Sequence, residues 1–290
     1  VNGRGSRFRW AIIHLAAEHT RVTSCRFLSC CYADAEREEE MGCKYAIQSE
    51  LSNTRVDHCY FHDRQGTSIN YCNTPEMVEN DAVGHYLVDH CIFRDSSEIA
   101  KRKNNREAIS IWGGNPAQAV VFMRLCAAHN IFDYEIGDGN GGEIMTVKAS
   151  GTLWRHNVFA NGPCGFSFRT GRSSTAYGNV LIHCRFQEAF PHRAHSIHGA
   201  YHLFVNNYCI GNTNAGMALP MGDVTMLIPH ERSETTLLNC ETVRDGVFAH
   251  NAFLHNAPLG LGIHGYGWSK PRAQAQFPPH GNTIVNNLFV

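Results

Sequence analysis

The sequence lacks a long apolar run and lacks an excess of charge of either sign. No run approaches the about 20 apolar residues that a membrane-spanning helix requires, and the first residues lack the charged and apolar segments of a secretory signal. The 25 lysines and arginines nearly balance the 26 aspartates and glutamates, which gives a formal net charge of -1. We therefore expect a soluble chain without a membrane or nucleic-acid partner, on which any site for a polyanion must be local.

Amphipathic helical stretches and cysteines at metal-binding spacing are also missing. Only residues 34–40 carry a helix-like run of charge, so helical crossovers between strands are not expected. The 12 cysteines include no CxxC pair, which argues against a zinc cluster. Isolated disulfides remain open, and the cysteines do not decide the redox compartment.

One short phrase recurs along the chain. Residues 56–61 read VDHCYF, residues 88–93 read VDHCIF, and later copies carry asparagine in place of the cysteine. Neighbouring copies are 22 to 44 residues apart, which is the scale of one solenoid turn. The aligned residues are Cys25, Cys59, Cys91, Asn130, Asn157, Asn179, Asn207, Asn251 and Asn287. Repeats of this kind bury their apolar face only by stacking, so we expect this column to point inward, with its three cysteines as reduced, buried thiols.

These repeats predict an all-β fold, a parallel β-helix that forms a single domain over residues 1–290. Short alternating strands are bounded by turn residues, and stacked asparagines can hydrogen-bond along the axis. A propeller is the alternative, but its blades need roughly 40–50 residues, whereas 22 residues separate Asn157 from Asn179. Residues 282–290 form a rung without a polar cap, so we expect either truncation at both ends or association through the solenoid ends.

Two basic residues lie one local rung apart. Lys148 and Arg169 are separated by 21 residues, so we expect them to project from neighbouring strands, about 5 Å apart. Like charges at this distance lower the pKa of an ammonium group, which makes a lysine usable as a base. The alternative is that both are solvated surface residues with partners of their own.

The same segment carries a family resemblance. Residues 143–148, EIMTVK, and residues 169–171, RTG, resemble the E-I-I-S/T-x-K-S and R-H-G signature of polysaccharide lyase family 6, which contains alginate lyases and chondroitinase B. Four further rungs resemble those of the family in the same order, at residues 88–93, 104–111, 129–132 and 262–265. The resemblance implies a right-handed parallel β-helix, a single-stranded solenoid that cleaves a uronic-acid polysaccharide by β-elimination. It implies Lys148 as the base that removes the C5 proton and Arg169 as the acid or charge stabiliser, with Thr170 in place of the family's histidine.

The family also uses calcium, held by an asparagine and two carboxylates. By position, Asn104 and Glu143 match two of these ligands, whereas Gly141 replaces the third. The loss of one hard oxygen ligand predicts that calcium binding is weak or absent. Nearby oxygen ligands that could substitute are Asp138, Glu135 and Glu107.

Other polar residues are candidates for binding the polymer. They are His58, His195, His198, His264, Lys270 and Arg272. For His58 we favour the alternative of stacking on His90, which has the matching position in the next repeat. For Lys270 and Arg272, a solvated loop explains the charge equally well.

The resemblance favours alginate as the substrate, with a glycosaminoglycan such as dermatan or chondroitin second, and implies a secreted or periplasmic protein. A β-helix glycoside hydrolase is an alternative, but it needs clustered carboxylates, and Glu143 and Asp138 form no obvious cluster. A non-catalytic glycan-binding β-helix would explain Gly141. The presence of both Lys148 and Arg169 argues against that interpretation.

Overall fold

The described residues of a computed structural model form strands and no helix. The structure describes residues 11–28, 45–62, 66–72, 84–95, 107–112, 122–134, 144–162, 166–184, 196–220, 222, 241–264 and 277–290. Within these ranges, 27 strands build three nine-stranded sheets, and every strand pair is parallel. The chain visits the three sheets in turn, so each rung contributes one strand to each sheet. This arrangement confirms the predicted parallel β-helix.

The strands are numbered in chain order. The first sheet contains β1 (Ala11–Leu15), β4 (Tyr45–Ser49), β7 (Thr67–Cys72), β10 (Ile109–Trp112), β13 (Met145–Lys148), β16 (Phe166–Thr170), β19 (Ser196–Ile197), β22 (Thr213–Pro220) and β25 (Ala257–His264). The second contains β2 (Arg21–Thr23), β5 (Thr54–Asp57), β8 (Tyr86–Asp89), β11 (Leu125–Ala128), β14 (Leu153–Arg155), β17 (Thr175–Tyr177), β20 (Leu203–Val205), β23 (Val247–Ala249) and β26 (Thr283–Val285). The third contains β3 (Arg26–Leu28), β6 (Tyr60–His62), β9 (Ile92–Asp95), β12 (Ile131–Tyr134), β15 (Val158–Ala160), β18 (Val180–Ile182), β21 (Tyr208–Ile210), β24 (Ala252–Leu254) and β27 (Leu288–Phe289).

The core is a set of apolar columns that run along the solenoid axis. Side chains alternate between the inside and the outside of each strand, and in the third sheet the central residue points inward. The inward rings of Phe27, Phe61, Phe93, Phe132 and Phe159 stack with centroids 4.6 to 4.8 Å apart. Each rung therefore buries its apolar face against the next, as the repeats predicted. Within the described residues, no helix has the length and hydropathy to cross a bilayer.

A ladder of asparagines runs inside the corner between the second and third sheets. In each step the Nδ2 amide and the backbone N–H of one asparagine donate to the Oδ1 of the next, as from Asn157 to Asn179 at 3.0 Å. The ladder contains Asn130, Asn157, Asn179, Asn207, Asn251 and Asn287. It continues into the cysteines, because Cys91 N–H donates to Asn130 Oδ1 at 2.9 Å.

The three cysteines of this column are free thiols, as expected. Cys59 and Cys91 are buried, and Cys25 is half-buried. A second ladder, which the repeat analysis missed, joins Asn212 to Asn256 at the corner between the third and first sheets. The two ladders pair the buried amide groups that would otherwise destabilise a narrow solenoid.

Candidate active site

Lys148 is the last residue of β13 and points away from the core. Val147 before it is fully buried in the core, so the alternation of the strand turns Lys148 outward. The lysine is half-buried rather than fully exposed. This position, at the end of a rigid strand and partly removed from water, suits a basic group that takes part in chemistry.

Arg169 lies on the neighbouring strand, β16, as the rung spacing predicted. The register is irregular at this point, because Val147 pairs with Phe168 but Lys148 pairs with Thr170. Arg169 is therefore the extra residue of a β-bulge opposite Val147 and Lys148. The side chain of Arg169 lies outside the described part of the structure. Bulges of this kind change the direction of a side chain and are common beside active sites.

Polar residues form an outward column on the first sheet beside Lys148. The three middle residues of this column each lie between two inward apolar neighbours, and strand pairing joins all five in one row. The row contains Gln48, Asn70, Ser110, Thr146 and Ser167. All five are buried, although they point away from the core. Sequence analysis missed this row, but the signal was present as a polar residue between apolar ones at 69–71, 109–111 and 145–147.

The corner between the first and second sheets ties the two basic strands together. Arg172, just after β16, donates its backbone N–H to Ser150 Oγ at 3.0 Å, and Ser150 lies just after β13. The Arg172 and Arg244 side chains both reach Glu241 Oε1 at 3.2 Å. Glu241 is fully buried, and burial raises its pKa while the two arginines oppose that shift. Two arginines thus share one buried carboxylate behind the strand that carries Arg169.

Two histidines pack at the same corner, and sequence analysis singled out only one of them. The backbone N–H of His198 donates to the carbonyl of Phe168, next to Arg169, at 2.7 Å. His202 stacks on the Phe168 ring with centroids 5.1 Å apart. Ser174 N–H donates to His202 Nδ1, so the other ring nitrogen, Nε2–H, donates to the carbonyl of His198 at 2.8 Å. Burial lowers the pKa of His202 to about 4, so this imidazole is neutral at ordinary pH.

The His198 side chain is fully buried, which differs from the polymer-contacting position that we expected. Its backbone is nevertheless close to the strand of Arg169. At Gly199, with φ of 99°, a Cβ would collide with the carbonyl oxygen of Gly171. Only glycine allows the two turns to approach so closely, and this approach holds the ends of β16 and β19 together.

His58 lies elsewhere in the molecule. It follows β5 at the corner between the second and third sheets, which does not border the first sheet. Its ring stacks on His90 with centroids 5.1 Å apart, as the alternative interpretation predicted. The structure therefore does not bring His58 together with Lys148. His264 ends β25 and pairs with Pro220 on the first sheet, the sheet that carries Lys148.

Several predicted site residues lie outside the described residues. They are Asn104, Glu143, Gly141, Asp138, Glu135, His195, Lys270 and Arg272. Of the candidate calcium ligands, Glu107 is described, and it is buried and accepts a hydrogen bond from Thr67 Oγ1 at 3.2 Å. The described residues contain no group of three histidines, cysteines or carboxylates that could hold a metal ion. Apart from Glu107, the candidate calcium ligands thus lie outside the described residues.

Comparison with known proteins extends the match to nearly the whole chain. Residues 6–290 match the family model of chondroitinase B. No curated protein sequence matches the chain. The solved structure of a PL6 family polysaccharide lyase, Pedsa3628 from Pseudopedobacter saltans, is 18% identical with a TM-score of 0.68, over 96% of this chain and 64% of that one.

Two further solved structures are similar. A mannuronic acid specific family 6 lyase from human gut microbiota is 18% identical with a TM-score of 0.66, over 97% of this chain and 62% of that one. The alginate lyase AlyF-OU02, solved in complex with G6, is 14% identical with a TM-score of 0.62, over 97% of this chain and 61% of that one. The chain thus spans less than two thirds of each of these structures, and it belongs to the chondroitinase B family, whose β-helical fold it shares with polysaccharide lyases of family 6.

Proposed function

We propose that the protein cleaves a uronic-acid polysaccharide by β-elimination, with Lys148 as the base. The neutral amine of Lys148 takes the C5 proton of the uronate. The electron pair of that C–H bond then forms a C4–C5 double bond, and the bond from C4 to the leaving glycosidic oxygen breaks. Arg169 offsets the negative charge that develops on the carboxylate and assists protonation of the leaving oxygen.

The observation that carries this proposal is the pairing of β13 with β16. It brings the strand of Lys148 against the strand of Arg169, with the bulge opposite Lys148. An α-proton beside a carboxylate is hard to remove unless the charge of that carboxylate is offset, so the base and the cation must be close together. The family match over residues 6–290 supports the same reaction.

We further propose alginate as the polymer and a secreted or periplasmic location for the protein. Two of the similar structures are described as a mannuronic acid specific lyase and an alginate lyase in complex with G6. A glycosaminoglycan is the second candidate, because the matching family model is that of chondroitinase B. A polymer of either kind is met outside the cytoplasm.

The test is the ultraviolet absorbance of the new double bond, measured with polymannuronate, polyguluronate, dermatan sulfate and pectin. Lys148→Ala should lower the rate by at least about a hundredfold, because a positioned base contributes about 10²–10⁴-fold. Arg94→Ala is the matched control, since Arg94 is a half-exposed cation on the third sheet, 3.8 Å from Asp133, and should leave the rate unchanged.

Three outcomes would overturn the proposal. An undiminished rise in absorbance with Lys148→Ala would remove this residue from the reaction. New reducing ends without a double bond would indicate a hydrolase. Tight binding of a polymer without any product would indicate a glycan-binding protein, the function that Gly141 favours.

A further inference from the structure

Four histidines form a stack on the surface of the solenoid. His58, His90, His129 and His156 occupy equivalent positions on successive rungs, with ring centroids 5.1, 5.1 and 5.2 Å apart. All four are exposed. This histidine ladder follows the corner between the second and third sheets, the one corner that does not border the first sheet. It is therefore separate from the outward face of the first sheet, which carries Lys148.

The backbone at the ladder is in an unusual conformation. Each of the four residues has a positive φ between 51° and 56°. Residues other than glycine rarely adopt this region, in which asparagine, aspartate and histidine are enriched. The same column carries Gly178, Asn206 and Asn286 on later rungs. The turn therefore accepts several residue types, and what distinguishes these four rungs is that their imidazole rings stack on one another.

Two carboxylates fix the orientation of two of the four ladder rings. Asp57 lies 2.8 Å from His58 Nδ1, and Asp89 lies 2.9 Å from His90 Nδ1. An ionised carboxylate only accepts hydrogen bonds, so Nδ1 carries the proton in both rings. The second proton of the imidazolium must then go to Nε2. Because the His58 and His90 side chains are 56% and 52% exposed, protonation adds a charged donor at the surface.

The fixed charges around the ladder leave a small positive excess. On the second sheet, Arg21 and Arg55 bind Asp57 and Asp89 at 2.7 and 2.8 Å. Arg155 directly precedes His156 and is exposed. Three arginines thus face two aspartates on the second sheet, and Arg26 on the third sheet adds one more cation. Protonated imidazoles therefore add several charges to a strip whose fixed excess of positive charge is small. Imidazoles ordinarily titrate between about pH 5 and pH 8, and partial burial together with the His90 and His156 rings lowers the pKa of His129.

The third sheet provides an apolar border to the ladder. Ile92 and Ile131 are 40% and 43% exposed, beside His90 and His129 in the chain. Tyr60 has the equivalent position beside His58, and Arg26 lies over its ring at 5.6 Å. Tyr177 closes the ladder, with its ring edge against His156 at 5.3 Å. Apolar and aromatic side chains next to a line of cations match a sugar polymer, which has apolar ring faces and regularly spaced anions.

We propose that the histidine ladder is a second binding site for an acidic polysaccharide, which lies along the solenoid axis and binds when the imidazoles are protonated. Anions on the polymer offset the repulsion between imidazolium groups at rung spacing, so binding and protonation favour each other. The net charge of -1 provides no other general attraction for a polyanion. This site goes beyond the proposed function, because it involves no cleavage and lies away from Lys148.

The experiment measures binding of polymannuronate at about pH 5.5 and about pH 7.5, on either side of the ordinary imidazole pKa. All proteins carry Lys148→Ala, and absorbance is monitored to show that the polymer stays intact. The parent should bind at least about tenfold more tightly at the lower pH, the gain expected when several imidazoles become charged. The double variant His90→Asn with His129→Asn should lose this gain.

His250→Asn is the matched control. His250 has the same column position and a φ of 56°, but its column neighbours are Asn206 and Asn286, so it is not part of the stack. Asparagine already occupies this turn on those rungs, so the substitutions keep the turn, and thermal unfolding verifies the fold. The control should retain the full gain at low pH.

Imidazole resonances of the ladder, followed by NMR as polymannuronate is added, give a second measurement. Shifts confined to His58, His90, His129 and His156 would support the site. An unchanged gain at low pH in the double variant would overturn the proposal. Equally tight binding of duplex DNA would also overturn it, because the ladder would then be a general polyanion surface.

Discussion

The corner between the second and third sheets and the face of the first sheet follow different rules. At the corner, strands of two to four residues, one residue with positive φ and one inward cysteine or asparagine recur on every rung. On the first sheet, strands vary from two to eight residues, and the register shifts beside Lys148. Regular repetition therefore builds the scaffold, whereas the candidate chemistry lies where repetition fails.

The asparagine ladder should give the largest effect on stability, because it is the most regular feature. Asn179→Ala removes the acceptor of two hydrogen bonds from Asn157 and the donors to Trp154 O and to Asn207 Oδ1. Each buried group left unpaired costs about 1–3 kcal/mol, so we expect a loss of about 3–5 kcal/mol in the free energy of unfolding. Urea denaturation measures this loss.

Asn161→Gly is the control for the ladder. Asn161 is exposed, its Nδ2 amide donates to Asp133 Oδ1 at 3.0 Å, and its φ is positive, a conformation that glycine keeps. Its substitution should change stability by less than about 0.5 kcal/mol. If both variants lost the same amount, the ladder would add nothing beyond an ordinary surface contact.

The corner behind the active site should respond to pH through His202. Burial lowers the pKa of His202 from 6.5 to about 4, so the folded state resists protonation more than the unfolded state does. Stability is therefore full above pH 6.5 and decreases as the pH falls towards 4, by about 3 kcal/mol. Denaturation of His202→Gln across this range should give a free energy of unfolding that is lower above pH 6.5 but changes less with pH.

His250→Asn is the control and should keep the normal dependence of the free energy of unfolding on pH, because His250 is exposed. If His202→Gln left this pH dependence unchanged, another group would take up the proton, and the His202 imidazole would not be held neutral by its surroundings.

Sequence analysis predicted the regular corner between the second and third sheets, and it missed most of the irregular features around the first sheet. The inward column could be found because each copy places cysteine or asparagine beside the same neighbours, as in residues 56–61 and 88–93. The bulge at Arg169 could not be found, because a spacing of 21 residues does not reveal which residue of β16 faces Lys148. His202 was hidden for the same reason, since its partners Ser174 and His198 are set by the packing of rungs and not by a local motif.

A smaller effect is expected at Asp57, within the regular part of the molecule. The bond from Arg21, at 2.7 Å, is the main reason why the pKa of Asp57 lies below its ordinary value of 3.8. A lowered pKa means that this contribution is present above pH 3.8 and lost as the pH falls below it. Asp57→Asn should cost about 2 kcal/mol near neutral pH, because hydrogen bonds to charged groups are worth about 1.5–3 kcal/mol.

Asp133→Asn is the matched control for the stabilisation that ionised Asp57 contributes. Asp133 is a more exposed carboxylate, 3.8 Å from Arg94, so its loss should cost less than about 1 kcal/mol. Chemical denaturation at neutral pH and below pH 4 separates the two variants. Equal losses at both positions would contradict a special role for the buried aspartate.

The smallest effect is expected from calcium removal, on the irregular face. A site that has glycine in place of one carboxylate at position 141 has lost one of the oxygen ligands that the family signature supplies. Treatment with a chelator should therefore leave both the melting temperature and product formation unchanged. Gly141→Glu restores that ligand and should make activity respond to added calcium, whereas Gly141→Gln, of similar size but without the charge, should respond much less. If the unmodified protein lost activity in chelator and regained it with calcium, another oxygen ligand, such as Asp138, would have to replace the missing carboxylate.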